Sequence, residues 1–471
     1  MITTRLSLVV AALSALTLSV PAQNCANTSV GFTPLNDLGA GTYLGFQGGL
    51  YPGGSNAVPA AHLAKGLSEV SQVVPRNAAG APDPTGAIVF ISIGMSNARQ
   101  EFEQFVTLSD ADPLRAPEVT VLNLAQGGMA AEDMDSPSDG YWVGVQNQLA
   151  NQGLTPQQVQ VVWLKNANRA PTASFPMHAE NLQSQFASIV QIIRDVFPNA
   201  RVCYGMSRIY AGYATTALNP EPFAYESGYS MKWLIEQQIS GDPALNFDPA
   251  EGPVEAPWLQ WGPYMWADGL TPRSDGLTWA CSDFAPDGTH PGIDGRLKVA
   301  QALLDFLHTD ATGSWYLGAA SGTPSFCDAG DGSLASCPCG NPGLASSGCE
   351  IAQTTGGVQL DLVSQETTPL NRVTFLGSGF PATTNPTSIV IRSSALTASP
   401  VAFGDGLRCV AAPVVRLAAT FASGGTALHT FGHSPAAGVG DFHYQAWFRN
   451  TPAMFCTPDA FNLSNGRTLQ W

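Results

Sequence analysis

A chain of 471 residues, 44% of them hydrophobic, is long for one domain and carries enough apolar material for a sizeable core. Its 36 acidic and 20 basic residues give a formal net charge of −16, which argues against nucleic acid or an anionic membrane surface as a partner. Only 12% of the residues are charged, a sparse and acidic balance that suits an exported protein.

The first 23 residues place Arg5 before an apolar run from Leu6 to Val20 and small residues around Ala22, the pattern of a secretory signal peptide. No later stretch reaches the roughly 18 uninterrupted apolar residues that a membrane span requires. The expected product is therefore secreted, extracellular or at the cell surface, with no membrane span. From Asn24 to Pro59 the chain is rich in Gly, Pro and Asn, and Leu50 to Asn56 (LYPGGSN) reads as tight turns. Ala60 to Val74 has Leu63, Leu67 and Val70 at helical spacing.

The stretch that organises the rest is Ala87 to Arg99, AIVFISIGMSNAR. An apolar, β-branched run ends abruptly in Gly94, Met95, Ser96 and Asn97, as a buried parallel strand does where it stops at a ligand site. Phe102, Phe105 and Val106 follow at helical spacing. Ser96 is thus expected on a strand-to-helix turn, where backbone N–H groups face an oxygen that becomes negative. Three more strands are expected at Val119 to Leu124, Val159 to Leu164 and Arg201 to Met206. The helical stripe Leu182, Phe186, Ile189, Ile193 and Phe197 lies between the last two. Strands alternating with helices imply a parallel sheet covered on both faces, with ligands beyond the carboxyl ends of its strands.

Tyr210 to Phe284 breaks that rhythm and reads as an aromatic insertion carrying Trp233, Trp258, Trp261, Tyr264, Trp266 and Trp279, pinned by a Cys203–Cys281 bridge. Its aromatics form a satellite core, part of which walls the substrate cleft; Asn97, Trp266 and Trp279 are the candidate substrate contacts. Asp287-Gly288-Thr289-His290-Pro291 closes the insertion, and Gly295 to His308 reads as a further amphipathic helix. Beyond it come short alternating runs separated by turn residues, as in a β-sandwich. The expected division is 1–23 signal peptide, 24–312 catalytic domain including the insertion at 210–284, 313–326 linker, and 327–471 β-rich accessory domain.

Nine cysteines fit an oxidising compartment, six of them between Cys327 and Cys456. The cluster Cys327, Cys337, Cys339 and Cys349 is expected to be heavily bridged, and Cys337-Pro-Cys339 is too closely spaced for a zinc knuckle. Asp328 and Asp331 lack the full ligand ladder of a calcium loop. His429, His433 and His443 read as ordinary strand or turn positions.

Acyl transfer by serine needs a base, an acid group to orient it, and donors for the oxyanion. His290 offers the base and Asp287, three residues earlier, its orienting carboxylate. Gly128, at the end of the second strand, offers a backbone N–H, with Gly127 as its alternative. Asn168, at the end of the third, offers a side-chain amide, with Asn166 as its alternative. Serine after the first strand, Gly after the second, Asn after the third and Asp-x-x-His before the last helix is the arrangement of the SGNH or GDSL-type hydrolases, which the chain resembles from about Ile88 to Leu307. The resemblance implies a three-layer α/β/α fold and esterase chemistry. Ser96 matches the nucleophile and one oxyanion donor, Gly128 and Asn168 match the other donors, and Asp287 and His290 match the catalytic pair.

Gly94-x-Ser96-Asn97 is more similar to the carbohydrate acetyl-esterase branch than to the lipase branch, whose motif has Asp where Met95 stands. The third block departs from the usual Gly-x-Asn-Asp, reading Asn166-Ala167-Asn168-Arg169. Residues 327–471 resemble small cysteine-bearing modules that end secreted bacterial proteins, through Tyr444-Gln445-Ala446-Trp447-Phe448-Arg449 and Phe461-Asn462-Leu463-Ser464. The expected function is a secreted serine esterase of O-acyl, chiefly O-acetyl, groups on carbohydrate, with no metal and no cofactor. A lipid or short-chain ester is the alternative substrate. A surface carbohydrate-binding or adhesive protein without turnover is the alternative class.

Overall fold

The computed structural model describes residues 23–112, 114–317, 325–329, 336–344, 346–351, 355–366, 372–381, 385–422, 425–434, 438–449 and 460–471. Apart from Gln23, the signal peptide lies outside them, as do Asp331 and Cys456.

Five parallel strands form one sheet: β1 (Ile88–Gly94), β2 (Val119–Asn123), β3 (Val159–Lys165), β4 (Val202–Gly205) and β5 (Trp258–Trp261). Their order is β2-β1-β3-β4-β5. The chain therefore reverses direction across the sheet between β1 and β3, and the crevice beyond the carboxyl ends at that point is where open α/β sheets bind ligands. All residues of β1, β3, β4 and β5 are buried, so both faces are covered.

The helices are α1 (Ala60–Val70), α2 (Ser96–Asp110), α3 (Gly140–Asn151), α4 (Met177–Val196), α5 (Phe223–Ile239) and α6 (Ile293–Thr309). Helix α2 packs against α6, and α4 against α5. One apolar core joins the sheet to these helices, from Leu35 to Tyr316.

The stretch read as an aromatic insertion continues the α/β alternation instead, since it supplies α5 and the edge strand β5. Its tryptophans Trp258 and Trp261 lie on β5, and Trp266 and Trp279 belong to the same core. The expected Cys203–Cys281 bridge is not formed. Cys203 lies on β4, wholly buried and unbridged, and Cys281 pairs with Cys25.

The described strands beyond α6 are antiparallel. They are β6 (Ser325–Phe326), β7 (Gln359–Glu366), β8 (Arg372–Ser378), β9 (Thr387–Ser393), β10 (Leu396–Phe403), β11 (Gly406–Val410), β12 (Val415–Phe421), β13 (Thr426–Gly432), β14 (Asp441–Arg449) and β15 (Phe461–Gln470). One sheet runs β13-β8-β7, a second β12-β9-β14-β15-β6, and β10 pairs with β11. Leu360, Val373 and Phe375 of the first sheet pack against Val390, Tyr444, Ala446 and Leu469 of the second, the inner faces of a sandwich.

Disulfides Cys327–Cys409 and Cys337–Cys349 support this region. The histidines there take separate partners: His429 bonds Ser388, His433 stacks on Trp471, and His443 bonds Thr468. The disulfides Cys25–Cys281, Cys327–Cys409 and Cys337–Cys349 among the described residues are the covalent chemistry of an oxidising compartment. Among the described residues no helix is long and apolar enough to cross a membrane.

Candidate active site

Ser96 is the first residue of α2, one residue beyond the Met95 cap that follows β1. The first N–H groups of a helix have no intrahelical acceptor, so the serine's own amide is available where the positive end of the helix dipole lies. The turn is tight because Gly94 lies against the neighbouring strand. A Cβ at Gly94 would fall 2.0 Å from the carbonyl oxygen of Lys165 and 2.7 Å from the Cβ of Ala98. The Gly94 carbonyl accepts from Gln126 N–H at 2.9 Å, which draws the loop after β2 to the same place.

The loop from Asp283 to Gly292 brings up the base. It closes on itself through Ala285 N–H to the His290 carbonyl (2.8 Å) and Gly292 N–H to the Asp283 carbonyl (2.7 Å). At Gly288, φ is +66° and a Cβ would meet the Tyr213 carbonyl at 2.1 Å, so a glycine is required there on two counts. Asn97 Nδ2 donates to the Thr289 carbonyl at 3.0 Å, fastening α2 to this loop.

The result is a continuous chain of hydrogen bonds. Ser96 Oγ lies 2.8 Å from His290 Nε2, and His290 Nδ1 lies 2.6 Å from Asp287 Oδ2. Asp287 Oδ1 accepts from the backbone N–H groups of Thr289 and His290, both at 3.0 Å. Burial alone would raise the Asp287 carboxyl. The His290 N–H, the His290 imidazole and the Thr289 N–H outweigh it and hold the carboxyl below its ordinary range. An ionised Asp287 fixes the Nδ1–H tautomer of His290 and leaves Nε2 to accept the serine proton.

These groups open onto a cavity of about 260 Å³ lined by Met95, Ser96, Asn97, Gly128, Ala130, Arg169, Arg208, Leu218, Asn219, Thr289 and His290. Of the sequence-predicted residues, Ser96, Asn97, Gly128, Asp287 and His290 come together here. Arg169 holds Gly128 by donating to its carbonyl at 2.7 Å. A Cβ at Gly127 or Gly128 would meet nothing within 4 Å, and Gly128 has φ +83°.

Other predicted residues lie elsewhere. Asn168 Nδ2 donates to Glu132 Oε2 (2.9 Å) and Gln185 Oε1 (2.6 Å), which occupies both of its protons, and the residue lines a separate cavity beside Glu132 and His178. Asn166 Nδ2 points to the Met129 carbonyl at 3.3 Å and the Met134 sulfur at 3.2 Å. Trp266 and Trp279 are wholly buried, their indole N–H groups donating to Glu221 and the Met265 carbonyl, so neither offers a face to substrate.

Arg208, three residues past β4, and Asn219 were not singled out from the sequence. The available signal was position, since Arg208 follows the carboxyl end of a buried parallel strand. Beneath the serine, Lys165 Nζ and Glu101 Oε2 pair at 2.5 Å with almost no exposure, joining the end of β3 to α2.

No family model matches the chain, and neither does any curated protein. Among solved structures it is similar over 48% of its length to the salicylyl-acyltransferase SsfX3 of a tetracycline biosynthetic pathway, with 15% identity and a TM-score of 0.27. The match spans 55% of that acyltransferase. It is also similar over 55% of its length to all of a Bacteroides fragilis protein assigned as an acylhydrolase (10% identity, TM-score 0.29). A third similarity, over 53% of this chain and 97% of the other, is to the periplasmic domain of a lipopolysaccharide acetyltransferase from Salmonella serovar Paratyphi A (13% identity, TM-score 0.27).

Proposed function

We propose that the chain is a secreted serine esterase that removes O-acyl groups, chiefly O-acetyl, from carbohydrate. The observation that carries this reading is the pair of hydrogen bonds from Ser96 through His290 to Asp287, 2.8 and 2.6 Å long, at the mouth of a cavity. The cavity's volume, about 260 Å³, falls below the usual range for drug-sized ligands and favours a short acyl group over a long one. In this scheme residues 24–312 are the catalytic unit and 327–471 an accessory β module. A cleaved leader at 1–23 accounts for the disulfides.

As Ser96 Oγ bonds to the ester carbon, its proton passes to His290 Nε2 and the carbonyl π pair moves to oxygen. Collapse breaks the ester C–O bond, and the leaving alkoxide takes the proton from His290. Water then attacks the acyl-serine, His290 accepts its proton, and the carboxylic acid departs as that proton returns to Ser96 Oγ. The N–H groups of Ser96 and Gly128 face the oxyanion, and Asp287 stabilises the imidazolium at each transfer.

The test is hydrolysis of nitrophenyl acetate and longer acyl homologues by the mature protein, with Ser96→Ala as control, followed by acetate release from acetylated polysaccharide. The expected result is a rate that falls with acyl length and vanishes in the variant. Equal rates for native protein and Ser96→Ala would overturn the reading.

A further inference from the structure

Arg208 is 1% exposed, lines the cavity that holds Ser96 and His290, and has two guanidinium nitrogens, Nε and Nη1, buried without any hydrogen-bond partner. An arginine in a protein interior remains charged, and a buried charge without a partner is costly. Unsatisfied buried groups are few in folded proteins, and a catalytic role is one of the established reasons for keeping one. Asn168, the side-chain donor expected for the oxyanion, is not free to serve, because both protons of its Nδ2 are taken by Glu132 and Gln185.

Taken together, we propose that Arg208 is the side-chain donor of the oxyanion site: its guanidinium hydrogen-bonds the oxygen that turns negative when Ser96 attacks. The inference rests on the serine esterase reading and names a further catalytic residue within it. Three carboxylates, Glu101, Glu221 and Asp287, act on Arg208 electrostatically and offset part of the burial that disfavours its charge. Glu101 pairs with Lys165 through Oε2 and leaves Oε1 without a partner, Glu221 accepts from Trp266, Ala211 and Tyr225, and Asp287 accepts from His290 and Thr289; none of them bonds Arg208 Nε or Nη1. Charge thus holds the guanidinium in place while its Nε and Nη1 have no partner within the protein. Its neighbour Asn219, on the same cavity, has an unpaired acceptor, Oδ1, and gives one amide proton to the Asn168 carbonyl.

During the reaction the C=O π pair moves onto oxygen and the new charge meets a preformed, buried cation, with which a charge-assisted hydrogen bond is strong. Asn168 is left with a structural part, bridging Glu132 and Gln185 behind the cavity.

The experiment compares Arg208→Met and Arg208→Lys with native protein and Ser96→Ala on nitrophenyl acetate, with thermal melting of each. The expected result for a folded Arg208→Met is a kcat lower by roughly 10²- to 10³-fold with KM nearly unchanged. Arg208→Lys, which keeps the charge but not the fork, is expected between Arg208→Met and native. If Arg208 instead recognised a carboxylate on the substrate, Arg208→Met would leave kcat on this neutral ester unchanged and raise KM only for acid-bearing esters, and the proposal would be overturned.

A second measurement needs no variant. In a crystal structure of the native protein with methylboronic acid on Ser96, a boronate oxygen is expected within about 3.2 Å of an Arg208 nitrogen. A boronate oxygen facing only backbone N–H groups would refute the assignment. Full activity in Ser96→Ala would instead sink the esterase reading itself, so the two failures are distinguishable.

Discussion

Replacing Lys165 by Met tests what the buried ion pair beneath the serine contributes. Lys165 and Glu101 are 1% and 0% exposed at the side chain, and Glu101 Oε1 already lacks a partner. Removing the ammonium leaves a carboxylate in the interior with neither oxygen paired by a cation. Breaking one half of such a pair costs about 3–5 kcal/mol. At about 2–4 °C per kcal/mol for a unit of this size, the melting temperature should fall by on the order of 10 °C. Burial already pushes the Glu101 carboxyl up against the pull of Lys165, so in the variant Glu101 takes up a proton more readily and the loss shrinks as pH falls. The assay is calorimetry or denaturant unfolding of the mature protein at pH 5 and pH 8. The double variant Lys165→Met with Glu101→Leu should recover most of the stability, since an apolar pair carries no desolvation cost. A single variant that loses less than about 1 kcal/mol, or a double variant no more stable than the single one, would refute the reasoning.

Asp287→Asn, with the serine and histidine intact, should lower kcat by on the order of 10³- to 10⁴-fold by releasing the His290 tautomer; steady-state kinetics that stay within tenfold of native would count against its role. Gly94→Ala should cost about 1–3 kcal/mol and most of the activity, because the new methyl meets a backbone carbonyl that cannot yield. Gly140→Ala, where a Cβ meets nothing within 4 Å, is its control in the same melting and rate assays. Burial raises the Glu221 carboxyl from 4.5 to about 7 against the hydrogen bonds it accepts from Trp266, Ala211 and Tyr225. The folded chain therefore keeps a proton there that the unfolded chain has released, and stability is lost as pH rises from about 4.5 through 7. Glu221→Gln should flatten that slope, by up to about 3 kcal/mol between pH 4.5 and 8, whatever fixed cost the amide brings at Tyr225; an unchanged slope in pH-dependent unfolding would refute it.

The parts of the fold that were legible in the sequence are those with a one-sided pattern. Strands β1 to β4 read as apolar runs with polar stops, and α4 shows a clear stripe from Leu182 to Ile193. Helix α5 was missed for a physical reason. It is buried nearly all round, from Ala224 to Lys232 without interruption, so there is no polar face to set a 3.6-residue period. Strand β5 is only four residues long and lies among prolines, which read as loop. The Ser96, Asp287 and His290 cluster was legible because its residue types sit at strand ends and on one short loop. Asn168 and Asn166 were chosen by counting from the strand, and counting does not say which way an amide points. Glu132 and Gln185 decide that for Asn168, from loop and helix positions far away in sequence. Arg208 was invisible for the same reason. An arginine after a strand is unremarkable until the structure leaves its nitrogens without partners.

The Cys25–Cys281 disulfide makes a covalent ring of everything between those two residues. Ser96 lies within the ring, while Asp287 and His290 hang just outside it, six and nine positions past the closing cysteine. A protease that cuts an exposed loop once between Ser96 and Cys281 opens the ring without releasing a fragment. The serine then stays tethered, through Cys25, to the piece that carries its base and its acid. A reducing agent turns the same nick into a dissociable break, so the molecule's tolerance of proteolysis should depend on whether that one bond is oxidised.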